Sequence, residues 1–251
     1  MLMLGNKGNG SLGDCLWLTA VLRYVKDVKI LLNDDDQLRW VGRIFENTCD
    51  VDFVNDPPER PDTKVNLCVE PYLSSHRSLK ILRSLGINEK VCVPFINLTQ
   101  KEIEWAENFY KNYKNPIVIV NDNSGTWDKT NHRAHYVRPP VEIMQQFVNN
   151  LIKLNFTPIQ FGRIEENKFT PLNNAIHIRG LNVRELSASY NYIGKYFGGD
   201  TGDYHLMLAV GGEATVLIPK ESKSWGYDYN DLLYKKENFE NGISRVKYIQ
   251  F

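Results

Sequence analysis

The sequence predicts an α/β protein built on parallel sheets. Three observations carry this. Short β-type apolar runs alternate with segments of helical spacing along all 251 residues. The run PIVIV at 116–120 is apolar throughout, as a strand covered on both faces requires. The alternation also begins afresh there, which divides the chain into two similar halves, residues 1–113 and 114–251, although the sequence carries no convincing repeat.

Taken in order, residues 1–4 form a short apolar strand. Residues 13–25 place apolar side chains at 16, 17, 18, 21, 22 and 25, the spacing of a buried helix. VKILL at 28–32 is a strand running into Asn33 and three aspartates. DVDFV (50–54) and KVNLCV (64–69) are further strands, and the prolines of NDPPERPD between them demand a loop. Residues 74–85 read as a helix closed by Gly86. The second half opens with the 116–121 strand and a polar loop, DNSGTWDKTNHRAHYVRPP. A helix over 141–154 follows, with Pro139 and Pro140 ahead of its first turn. TPIQFG and AIHI are strands, Asn182 caps a helix to about Tyr190, and 192–200 reads as a strand. A helix starts near Asp203 and EATVLIP is a strand. GISRVKYIQF at the end is strand-like.

Composition excludes several classes. Thirty cationic and thirty acidic side chains balance, and 42% of residues are hydrophobic. A protein that coats nucleic acid or an anionic membrane carries a clear excess of positive charge. Stable nucleic-acid binding is therefore not expected. No apolar run approaches the ~20 residues of a membrane helix, which leaves at most peripheral membrane contact. The N-terminus lacks a signal-peptide pattern. Cys15, Cys49, Cys68 and Cys92 form no CxxC pair, so they read as reduced thiols of a cytoplasmic protein with a silent sequon at Asn97.

Two segments carry chemistry. In GNGSLGDCLWLTAVLRYV, Gly8, Gly10 and Gly13 satisfy GxGxxG, the glycine turn that lets a dinucleotide pyrophosphate approach a helix start. An NAD-dependent oxidoreductase would then read ribose with an acid among Asp34–Asp36. A P-loop is excluded, because no Lys-Ser or Lys-Thr follows. Asp14 is the residue that the dinucleotide reading does not need. At a helix start it serves either as a cap or, facing a ligand crevice, as a proton acceptor kept ionised by the helix dipole. Desolvation in a closed site would raise its basicity again.

The second segment is GGDTGDYHLMLAVGG, 198–212. Its turn offers the N–H groups of Thr201 and Gly202 and the Thr201 hydroxyl at a helix N-terminus, a ready phosphate site. His205 falls in the first helical turn. The bland alternative makes Asp200 a cap and His205 a packed ring.

With these two segments in this order, the chain resembles glycosyltransferase family 9, the ADP-heptose:lipopolysaccharide heptosyltransferases. That family shows a Gly-Asp-x-Leu turn opening its first helix and an Asp-Ser/Thr-Gly-x-x-His turn in its second half. The resemblance implies a GT-B fold, two Rossmann-like domains facing a cleft, with an N-terminal acceptor-side domain and a C-terminal nucleotide-sugar domain. It implies inverting transfer from a nucleotide-diphosphate sugar to a hydroxyl acceptor such as a lipopolysaccharide-type glycan, with no metal and no cofactor. Asp14 becomes the general base, beside a turn of Gly10, Ser11 and Gly13. Asp200, Thr201, Gly202 and His205 bind the donor diphosphate, joined by a cation from the 121–138 loop: Lys129, Arg133 or Arg138. His132 and His135 lack a third ligand for a metal. Asp203 stands where the family often has proline. An acid there repels pyrophosphate unless it points away or caps the helix. GISRVKYIQF is too short and strand-like for the helix that commonly ends the GT-B fold. A sugar-nucleotide-binding protein without turnover is the third reading, after the transferase and the oxidoreductase. Trp127, Tyr136, Trp225 and Tyr227 read as packing rather than stacking residues.

Overall fold

The computed structural model describes residues 2–6, 12–34, 36–54, 77–120, 139–162, 170–218 and 238–250. The chain divides into two compact units, Met1–Asn97 with Trp225–Ser244, and Leu98–Ser224 with Arg245–Phe251. It therefore passes between them at 97/98, 224/225 and 244/245. The first passage precedes the 113/114 division read from sequence.

In the first unit, β1 (Leu2–Asn6), β2 (Val28–Asn33) and β3 (Asp50–Val54) form a parallel sheet in that order. Leu2 pairs with Val28 and Lys29 with Asp50. Helix α1 (Leu12–Leu22) crosses between β1 and β2 and buries Cys15, Leu16, Leu18, Ala20 and Val21. Its Thr19 accepts a hydrogen bond from Phe95 N–H at 3.0 Å, which fixes the 92–96 segment on the helix. Helix α2 (Asp36–Gly42) and a 3-10 turn at Arg43–Phe45 follow β2, where the sequence reading assigned nothing. Helix α3 is Arg77–Ser84, and Gly86 beyond it takes φ +75°, a left-handed conformation suited to glycine. The expected strand at 64–69 lies outside the described residues. From the late return, Asn238 accepts from Cys92 N–H and donates to Lys90 O, and Arg23 pairs with Glu240.

The second unit begins with α4 (Gln100–Tyr110), then β4 (Pro116–Val120), α5 (Val141–Lys153), β5 (Thr157–Gly162), β6 (Ile176–Arg179), α6 (Val183–Ile193), β7 (Lys195–Gly199), α7 (Gly202–Ala209), β8 (Glu213–Ile218) and β9 (Val246–Gln250). All ladders are parallel, in the order β6-β5-β4-β7-β8-β9. Counted from β4 as the first strand, that is the 3-2-1-4-5-6 order of a doubly wound Rossmann sheet. Met144 and Val148 of α5, one turn apart, bury against Ile117, Ile119, Phe197 and Leu217. On the other face α6 packs with α4, where Tyr110 donates to Ser189 at 2.9 Å.

Helix α4 shows why the passage comes early. Thr99 and Glu102 close a capping box at its start. The same Glu102 carboxylate takes two bonds of 2.7 Å from Arg184 of α6, itself 2% exposed. This ties α4 to the second unit. Helix α6 starts at Asn182, as expected, through a second capping box with Glu185. It runs on through Ile193, so the strand expected from 192 begins at Lys195. Gly194, at φ +68°, supplies the left-handed cap between them. Among the described residues no helix is long and apolar enough to cross a membrane.

Candidate functional site

In an open doubly wound sheet, ligands bind beyond the carboxyl ends of the two strands where the order reverses. Here those strands are β4 and β7. The last two residues of β7 and the two that follow lead through the turn Gly198–Gly202 into α7. Gly198 pairs with Val120, the last residue of β4. A Cβ on Gly198 would stand 2.5 Å from the Val120 carbonyl oxygen and 2.7 Å from the Tyr196 hydroxyl oxygen. Only glycine permits this approach, so the turn is held close against the end of β4.

The turn is wired from beneath. Thr201, 8% exposed, caps α7 by accepting from the Asp203 N–H at 3.3 Å. Thr201, rather than Asp200, is thus the cap. Its hydroxyl stands 3.3 Å from an Asp203 carboxylate oxygen and 3.3 Å from the Tyr196 hydroxyl. Tyr196 donates to the Gly199 carbonyl at 2.8 Å, and Tyr190 of α6 donates to the other Asp203 oxygen at 2.8 Å. Both phenols are raised well above their ordinary range, by burial first and the Asp203 charge second. Both are therefore O–H donors at neutral pH. Asp203 therefore directs its carboxylate into the unit, which answers the repulsion expected of an acid in a proline position.

The structure brings Asp200, Thr201, Gly202 and His205 into one turn. Asp200 is half-buried after β7, and Gly202 is the first residue of α7. His205, three residues on, is 5% exposed with its ring 3.9 Å from that of Tyr204. Asp14 and Gly13 lie in the first turn of α1; Gly13 is buried, and the Asp14 side chain lies outside the described atoms. Gly8, Gly10, Ser11, Lys129, Arg133, Arg138, His132 and His135 lie outside the described residues. Among the described residues no three or more of His, Cys, Asp and Glu are grouped to hold a metal ion. An open depression of about 680 Å³, lined by Ile152, Lys153, Phe156 and Pro158 among others, lies at the amino ends of β5 and β6. That is the wrong end of the sheet for a ligand of the switch point.

The sequence reading missed Tyr190 and Tyr196. Tyr196 is one of four successive buried residues of β7, and Tyr190 meets Asp203 only because α6 packs on α7. No local spacing announces either.

No protein-family model matches the sequence, and no curated protein does. Solved structures do match. A glycosyltransferase family 9 protein from Veillonella parvula DSM 2008 superposes over 100% of this chain and 86% of its own, at 12% identity and TM-score 0.65. The E. coli ADP-heptose lipopolysaccharide heptosyltransferase II aligns over 99% and 90%, at 11% identity and TM-score 0.54. The E. coli heptosyltransferase WaaC with ADP aligns over 100% and 91%, at 11% identity and TM-score 0.52. The chain shares the α/β fold with parallel sheets of these glycosyltransferases.

Proposed function

We propose that the chain is a metal-independent, inverting glycosyltransferase. Its donor is a nucleoside-diphosphate sugar of the ADP-heptose kind, and its acceptor is a hydroxyl of a glycan such as a lipopolysaccharide core. The observation that carries this reading is the Gly198–Gly202 turn at the switch point, closing onto β4 and capped by Thr201. A helix N-terminus in that position suits a diphosphate, whose negative charge grows as it leaves the sugar. The resemblance at both motifs and the shared fold support the same class.

In this reading the acceptor oxygen bonds to the anomeric carbon from the face opposite the leaving group. The bond from that carbon to the diphosphate oxygen breaks, and its electron pair departs with the nucleoside diphosphate. Asp14 takes the acceptor's proton. The α7 turn, with His205, holds the departing phosphates. No metal or cofactor enters the scheme.

Calorimetric titration with ADP, UDP and NADH tests the reading. Nucleoside diphosphate is expected to bind, and His205→Ala to bind it about tenfold more weakly through loss of a charge-assisted bond. Asp14→Asn should retain donor binding and lose acceptor-dependent ADP release. Preferential NADH binding that His205→Ala leaves unchanged would move the ligand to the Gly8–Gly13 turn and favour the oxidoreductase. Binding without transfer in the wild type would favour the inert sugar-nucleotide binder.

A further inference from the structure

We infer that Tyr190 is a positioning residue of the nucleoside-diphosphate site, holding the Asp203 carboxylate inside the second unit so that the first turn of α7 keeps its positive end for phosphate. This rests on the function proposed above and adds a residue that neither motif contains.

Helix α7 carries its own acid in its first turn, where the unbonded N–H groups attract an anion. A carboxylate there competes with a bound phosphate and, at short range, repels it. The side chain is only half-buried, so burial does not dictate its direction. Hydrogen bonds do. One oxygen accepts from Tyr190 at 2.8 Å and the other faces the Thr201 hydroxyl at 3.3 Å. Tyr190 is fully buried on α6 and cannot follow Asp203 outward. Tyr196 completes the brace, bonding the Gly199 carbonyl and lying 3.3 Å from the Thr201 hydroxyl. The chain thus tolerates an acid at this position because a second helix supplies the donor that turns it away.

Charge and geometry separate in a double-mutant cycle. Asn at 203 preserves an acceptor for Tyr190 while removing the charge. ADP affinity is measured calorimetrically for the wild type, Tyr190→Phe, Asp203→Asn and the double variant, with circular dichroism and thermal unfolding confirming each fold. Tyr190→Phe should weaken ADP binding about tenfold, as the released carboxylate meets the phosphates in a partly screened site. Asp203→Asn should bind at least as tightly as the wild type. The double variant should recover to within about twofold of Asp203→Asn, because a hydroxyl with no charge to restrain has no electrostatic role. Equal weakening by Tyr190→Phe in both backgrounds would mean that Tyr190 merely packs, and would overturn the inference; so would no weakening at all. Should Tyr190→Phe not fold, an Asp203→Asn protein that binds ADP more weakly than the wild type overturns it independently. If no form binds ADP or UDP, the site reading fails first and takes this role with it.

Discussion

Glu102 shows how one side chain serves two purposes at the residue scale. It completes the capping box of α4 with Thr99 and neutralises the buried Arg184 of α6. Partial burial opposes its ionisation, but the Arg184 guanidinium and the Thr99 N–H and hydroxyl outweigh that and bring the carboxyl to about 2. Because the folded value is depressed, this stabilisation is complete above the ordinary carboxyl value. It is lost as pH falls from there through about 2. Glu102→Gln is expected to cost about 3 kcal/mol at neutral pH, since it strands a buried guanidinium. It should also flatten the acid limb of stability. Urea unfolding at pH 7 and pH 3 measures both, and a deficit that is equal at the two values would refute the assignment.

At the scale of elements, the β7–turn–α7 unit joins local chemistry to sheet topology. Thr201 is a good cap by residue type, and the glycines permit the turn. What keeps the turn at the end of β4 is the missing side chain at Gly198. Gly198→Ala is expected to destabilise the second unit by about 1–3 kcal/mol, the usual cost of overpacking. Because Val120 O and Tyr196 Oη would be the atoms displaced, nucleoside-diphosphate affinity should fall as well. Thermal unfolding and ADP titration on one sample check the pair of effects, and loss of stability with unaltered affinity would separate the turn from the ligand. Several elements were legible locally. The cap at Asn182, the prolines ahead of α5 and the apolar β4 all mark themselves. Helix α4 carries a capping box at Thr99-x-x-Glu102, but its partly exposed aromatic face masks the helical period. The strand expected over 192–200 starts only at Lys195, because Tyr192 and Ile193 suit either period and only Gly194 marks the end of α6.

The whole molecule is interleaved rather than serial. After β8 the chain returns to the first unit over Trp225–Ser244 and then re-enters the second as β9, pairing Ala214 with Val246. The final strand-like segment is therefore a sixth strand of the Rossmann sheet. Truncation after Ser224 would strip β8 of its outer partner and remove buried Phe239 and the Asn238 bonds from the first unit. Both units should become sensitive to limited proteolysis at lower temperature than in the full chain, with mass spectrometry locating the cuts. Cleavage confined to one unit would contradict the division.

The sequence alone determined the βα alternation, the class of fold and the glycine-acid turn ahead of α7, because periodicity, caps and turns are encoded over a few neighbouring residues. It could not determine that α4 belongs with the second sheet, that the chain visits the first unit twice, or that Tyr190 donates a hydrogen bond to Asp203. Those contacts join residues from 13 to 148 positions apart in the chain. They exist only once strand order and helix packing bring the residues together, and strand order is a property of the folded sheet that no local window contains.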